Sequence, residues 1–171
     1  TTSYHLAPGR LNQIDVNGVN VFVDYAHNPA GLDALGEFIA AYTEGLEAAS
    51  SEVHKRRRIG VVGTAGDRRD TDISELGRTA AAHFDLVVVK EDVRTRGRQP
   101  GEVAALVEHG VKEAMAGGAR TKEVRVICDE IEAVRWAMSQ AHLGDVVAIC
   151  ADATDAVYTE LEALGHSAMH E

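Results

Sequence analysis

Asp24, His27 and Asn28 fall within five residues of one another, at the end of an apolar run in "VFVDYAHNPAGLDAL" (21–35). A carboxylate, an imidazole and an amide this close can bind a polar ligand or move a proton. Part of the cluster has a simpler use. Asn28 before Pro29 is a helix start, because the amide caps free backbone N–H groups and the proline ring suits the first turn. Asp24 and His27 have no such explanation and stand as candidates for chemistry, beside the alternative that they are loop hydrogen-bonders.

Two more polar clusters follow apolar runs. "GVVGTAGDRRD" (60–70) spaces its glycines as GxxGxxG, which is neither the dinucleotide fingerprint nor a P-loop, since no Lys-Ser or Lys-Thr follows. Asp72 with Glu75 has capping-box spacing and predicts a helix start there. Gly66, Asp67, Arg68, Arg69 and Asp70 have no structural role that the sequence names, and stand as candidate binding residues. "EDVRTRGRQPGE" (91–102) holds Glu91, Asp92, Arg94, Arg96 and Arg98. Each guanidinium is a planar fork that can clasp a carboxylate or phosphate, and the alternative is a salt-bridged surface loop. Gly97 permits unusual backbone between two arginines, while Pro100 and Glu102 suit the first turn of the next helix. The remaining histidines are scattered without ligand spacing, and no metal site is expected.

These clusters need elements that hold them together. Asn17-Gly18 between two alternating runs predicts a hairpin with a type I′ turn. Helical spacing then predicts a helix over about 29–48, another near 72–84, and a third through Val103, Leu106, Val107, Val111 and Met115. Asp129 and Glu132 begin a fourth as a capping box, and a fifth carries Val157, Leu161 and Leu164 with Gly165 as its C′ residue. Between them run "RIGVVG" and "DLVVVK", apolar strands suited to burial on both faces, and two further strands, "EVRVICD" and "DVVAIC". The pattern predicts one α/β domain over residues 1–171: a doubly wound, mostly parallel sheet with right-handed crossovers and an N-terminal β-hairpin at one edge. In such sheets ligands bind outside the carboxyl ends of the strands, where all three clusters fall.

Composition narrows the function. A net charge of −10 argues against general nucleic-acid affinity, and "HKRRR" (54–58) is expected to be a solvated linker. No apolar run approaches the roughly 20 residues that cross a bilayer. The first residues lack the pattern of a signal peptide and look like a cut inside a longer chain. Cys128 and Cys150, without CxxC spacing, are expected as buried free thiols in a cytoplasmic protein, a disulfide between facing strands being the alternative.

"DYAHNP", in the wider stretch 8–29, resembles the start of the C-terminal domain of the Mur ligases, ATP-dependent amide-forming enzymes related to folylpolyglutamate synthetase. "GDRRD" (66–70), "ED…RGRQPGE" (91–102) and "VICDEIEAVRWAMSQAHLGDVVAI" are similar to the cyanophycin synthetases within that group. The likeness covers nearly the whole chain, and it implies a Rossmann-like fold and a fragment of a multidomain ligase. It implies ATP and Mg2+ as cofactors, held mainly by a central ATPase domain of the same full-length chain, with Asp24, His27 and Asn28 completing the nucleotide site. The other two clusters would face the incoming amino acid, arginine, and an acidic polymer. A carboxylate would be activated as an acyl phosphate and then attacked by an amine, with Asp67, Asp70, Glu91 and Asp92 holding a guanidinium and Arg94, Arg96 and Arg98 holding carboxylates. Val93 stands where a cyanophycin synthetase is expected to carry an acid, which leaves the added amino acid open. Another Mur-type ligase and a noncatalytic binding module remain as alternatives. Self-association also stays open.

Overall fold

The computed structural model describes residues 11–52 and 55–167. Residues 8–10 of the stretch carrying the resemblance, together with His5, His54 and His170, lie outside the described residues.

The chain opens with the expected hairpin. Strands β1 (Asn12–Val16) and β2 (Val19–Asp24) pair antiparallel, and both turn residues take positive φ, 53° at Asn17 and 82° at Gly18. That geometry matches the twist of the flanking strands. There follow α1 (Pro29–Ala49), β3 (Arg58–Val62), α2 (Asp70–His83), β4 (Leu86–Val89) and α3 (Glu102–Ala116). The chain then forms β5 (Glu123–Val126), α4 (Glu130–Gln140), β6 (Val146–Cys150) and α5 (Thr154–Ser167). The six strands are ordered β1-β2-β6-β3-β4-β5, with every pairing parallel except the hairpin.

Alternation along the strands builds two cores. Phe22, Val62, Val87, Val89 and Ala148 face α1, α2 and α3, which contribute Leu32, Ile39, Ile73, Leu76 and Val107. Val21, Val23, Ile59, Val61 and Ile149 face α4 and α5, which contribute Val134, Val157 and Leu161. Both faces of the sheet are thus covered by the chain's own helices.

Several expectations are corrected in detail. Asp72 is not part of a capping box: α2 starts at Asp70 with Arg69 as N-cap, and Asp72 forms an ion pair with Arg69 at 3.0 Å. Pro100 precedes α3 rather than joining its first turn, because Gly101 at φ 86° is the N-cap. Gly165 lies inside α5. Cys128 is exposed, since β5 is an edge strand that ends at Val126; Cys150 is buried, and both thiols are free. Lys55 is exposed, but the arginines of the basic run are no solvated linker. Arg58 is a buried residue of β3, Arg56 donates to Gly144 O at 2.7 Å, and Arg57 donates to Gln140 O. These arginines tie the amino ends of β3 and β6 together, so their charges have local partners.

Candidate functional site

Inserting β6 between β2 and β3 sends the helices after adjacent strands to opposite faces: α1 and α2 to one, α5 to the other. A crevice opens where neighbouring strands lead off in opposite directions. A cavity of about 60 Å³ lies there, across the carboxyl ends of β2, β6, β3 and β4. Tyr25, His27, Lys90, Asp92, Cys150 and Asp152 line it.

The first cluster divides as its residue types suggest. Asn28 is the N-cap of α1, its Oδ1 accepting from Gly31 N at 2.7 Å. Asp24 Oδ1 accepts from Leu11 N at 2.9 Å, which fixes how the chain comes onto the sheet. His27 is exposed at the cavity rim, held through Nδ1 against Tyr25 O at 3.0 Å and through its own carbonyl by the Thr64 hydroxyl at 2.8 Å. The Tyr25 ring lies 5.1 Å from the imidazole. Backbone anchoring on both sides aims the ring and leaves Nε2 toward solvent.

The other two clusters form one loop system, and Arg98 is its staple. Its guanidinium donates to Gly66 O and Arg68 O, both at 2.8 Å, and pairs with Asp70 at 2.7 Å and Glu102 at 3.0 Å. Gly66 is needed at this contact, because a Cβ there would lie 2.0 Å from Thr95 O. Glu91 is also committed. Its two oxygens accept from Gly101 N at 2.8 Å and Ala104 N at 3.1 Å, which caps α3 in place of the side chain that Gly101 lacks. Arg69 is taken by Asp72. Arg68 is half-buried, its Nε without a hydrogen-bond partner. Asp67, Arg94 and Arg96 are exposed and, among the described residues, carry no side-chain hydrogen bond or ion pair. Arg96 sits at φ 54° beside Gly97 at φ 88°, a turn that presents its side chain outward. Val93 is 94% exposed at the same loop.

Sequence pattern alone passes over the most buried charge at the site. Lys90 follows β4 with 2% of its side chain exposed and pairs with Asp92 at 3.0 Å and Glu130 at 3.1 Å. Burial alone would lower its pKa, but the charges and hydrogen bonds of Asp92 and Glu130 outweigh that and raise it above the ordinary lysine value. Asp152 is held above the usual carboxylate range by burial first and then by Asp92. The signal for Lys90 was a charged residue closing a wholly apolar strand. Glu130 had none, because an acid in the first turn of a helix is ordinary.

The nucleotide and magnesium implied by the resemblance fit only as an edge contact. Small-molecule pockets run to roughly 300–1,000 Å³, far above this cavity. Among the described residues no three His, Cys, Asp or Glu side chains are grouped to hold a metal ion. His27 and Tyr25 could meet a bound nucleotide at the rim; nothing among the described residues forms a phosphate cradle.

Comparison with known proteins agrees with this geometry. Residues 9–153 match the family described as Mur ligase, glutamate ligase domain. A cyanophycin synthetase of Synechocystis is 40% identical over 149 residues, 87% of this chain and 15% of that protein. A UDP-N-acetylmuramoyl-L-alanyl-D-glutamate–2,6-diaminopimelate ligase of Corynebacterium glutamicum is 32% identical over 144 residues, 83% of this chain and 25% of that one. The chain thus spans only about a seventh to a quarter of the length of these relatives. A solved ligase of the second kind superposes with a TM-score of 0.73 at 22% identity, covering 96% of this chain and 33% of its own. With the sheet order, the hairpin edge and the family match in agreement, the chain belongs to the Mur ligase C-terminal domain family.

Proposed function

We propose that this chain is the C-terminal, substrate-binding domain of a cytoplasmic ATP-dependent ligase of the cyanophycin synthetase kind, joining arginine to the β-carboxylate of a poly-aspartate chain. The observation that carries the reading is the charge arrangement at one edge: Arg94 and Arg96 exposed and unpaired, beside a cavity lined by Asp152 and by Asp92, which Lys90 pairs from within. Free guanidinium groups suit the carboxylates of an acidic polymer, and an acid-lined cavity suits a guanidinium. The higher identity to a cyanophycin synthetase than to a peptidoglycan ligase supports the same choice.

In this scheme ATP, held by a central domain of the parent chain, supplies the phosphoryl group that activates the acceptor carboxylate. The domain's own part is positioning and charge stabilisation rather than covalent catalysis. Arg94 and Arg96 bind the polymer, Asp92 and Asp152 flank the guanidinium, and His27 Nε2 meets the reacting groups from the rim. Asp24 and Asn28 hold the strand end and helix start that aim His27. Arg98 and Glu91 bind substrate only indirectly, by shaping the loops.

The test uses the full parent chain with ATP, a primer of aspartate-arginine polymer and each of the twenty amino acids, following ADP release and primer mass. Arginine-dependent extension is expected. Replacing Arg94 with Ala should raise the KM for primer about 10-fold or more, as loss of a charged hydrogen bond does, and His27→Ala should lower kcat. Turnover with a different amino acid would keep the ligase and discard the arginine assignment. No turnover with any of them would sink the ligase reading.

A further inference from the structure

Lys90 stands where four strand ends converge, yet its ammonium is nearly closed off from solvent. Asp92 and Glu130, which pair with it, have only 14% and 11% of their side chains exposed. Glu130 also holds backbone, its oxygens accepting from Asp152 N at 2.6 Å and Ala153 N at 2.9 Å. The network therefore runs from the loop after β4, through Lys90 and the first residue of α4, to the turn between β6 and α5. Gly63 after β3 leaves the space, since a Cβ there would lie 2.7 Å from Lys90 O and 3.0 Å from Lys90 Cδ. Without the cation, two largely buried carboxylates would face each other across the same volume. One would then take up a proton or turn out to water.

We infer that Lys90 is a positioning residue of the amino-acid site: a single buried ammonium that pairs with both Asp92 and Glu130 and, through Glu130, locks the 152–153 turn against the cavity that His27 borders. The inference rests on the ligase reading for its consequence but not for its physical core. Lys90 itself lines the cavity beside Asp92 and Asp152. Its worth to the reaction is that Asp92 and Asp152 are presented in one arrangement, ready for a cationic side chain. The charged and titratable groups around it are Asp92 on its own loop, Glu130 on α4, Cys150 and Asp152 at the end of β6, Asp24 at the end of β2, and Arg94 near Asp152.

Two measurements on Lys90→Met, which keeps the apolar stem and removes the charge, decide it. In this chain, amide exchange at Asp152 and Ala153 is followed by NMR. Exchange at both should accelerate at least about 10-fold once the clamp loses its cation, and unchanged exchange overturns the inference. In the parent ligase, the KM for the amino acid should rise about 10-fold or more while that for ATP stays. The acidic limb of kcat/KM should shift to higher pH, and Lys90→Met/Glu130→Gln should move it back. An unchanged amino-acid KM and acidic limb in folded protein would show a merely structural lysine. Should Lys90→Met not fold, Glu130→Gln serves instead: amide exchange at Asp152 and Ala153 should accelerate at least about 10-fold, and unchanged exchange refutes the lock. A parent chain with no turnover at all would sink the ligase reading, while the exchange measurement would still decide the clamp.

Discussion

Arg94 and Arg98 occupy one loop, four residues apart, and do opposite things. Arg98 makes two bonds to carbonyl oxygens and two ion pairs, and 17% of its side chain is exposed. Arg94 reaches solvent unpaired. The difference comes from the partners that folding brings up, Gly66, Arg68 and Asp70 from the preceding loop, and not from residue type. Arg98→Ala should therefore lower the urea midpoint of the domain, because two loop carbonyls lose their charged donor. Arg94→Ala should leave the urea midpoint within error. Equal midpoints for the two variants would refute the division between staple and ligand contact. At the same scale Glu91→Ala should cost about 1 kcal/mol, as loss of a helix cap does.

Helices α2 and α3 pack with their backbones in close approach. Gly77 and Gly110 face each other's backbones: a Cβ on Gly77 would lie 2.0 Å from Val107 O, and one on Gly110 would lie 1.9 Å from Ser74 O. Backbone cannot retreat as a side chain can, so either Gly→Ala change should cost about 1–3 kcal/mol. It should also shift the loops that these helices carry, 66–70 before α2 and 91–101 before α3. Gly45 in α1 is the control, with nothing within 4 Å of its would-be Cβ. Gly45→Ala should stabilise by about 0.5–1 kcal/mol through helix propensity. Thermal unfolding of the three variants checks the contrast, and similar losses in all three would contradict the close approach.

For the whole molecule, stability against alkali follows from the buried groups at the strand ends. Burial pushes the Cys150 thiol up to about 12 from an ordinary 9.0. The folded state keeps that proton while the unfolded chain releases it, so stability falls as pH climbs from 9.0 toward about 12. Lys90 acts in the same direction. Its raised pKa stabilises the fold fully below the ordinary 10.5, and the contribution is lost as pH rises through the folded value. The urea midpoint should therefore decline from pH 9 upward, with a shallower slope in Cys150→Ala and in Lys90→Met whatever their starting stability. A parallel decline in wild type and both variants would show that neither group drives it.

What the sequence determined by itself was periodic and local. Alternation and helical spacing were enough for the order of elements, the Asn17-Gly18 turn, the Asn28 cap and the parallel, doubly wound plan, because each depends on neighbours a few residues away. Clustering at strand ends likewise brought all three polar groups to the correct edge. The tertiary structure decided which charges are spent and which remain free. Glu91 and Arg98 looked like ligand contacts until α3 and the 66–70 loop supplied their partners. Arg56, Arg57 and Arg58 looked solvated until the amino ends of β3 and β6 closed on them. Lys90 and Glu130 are forty residues apart in sequence, and the parallel pairing of β4 with β5 brings together the strand ends that carry them. A charge is defined by what surrounds it, and those surroundings are long-range contacts that no local pattern in the chain records.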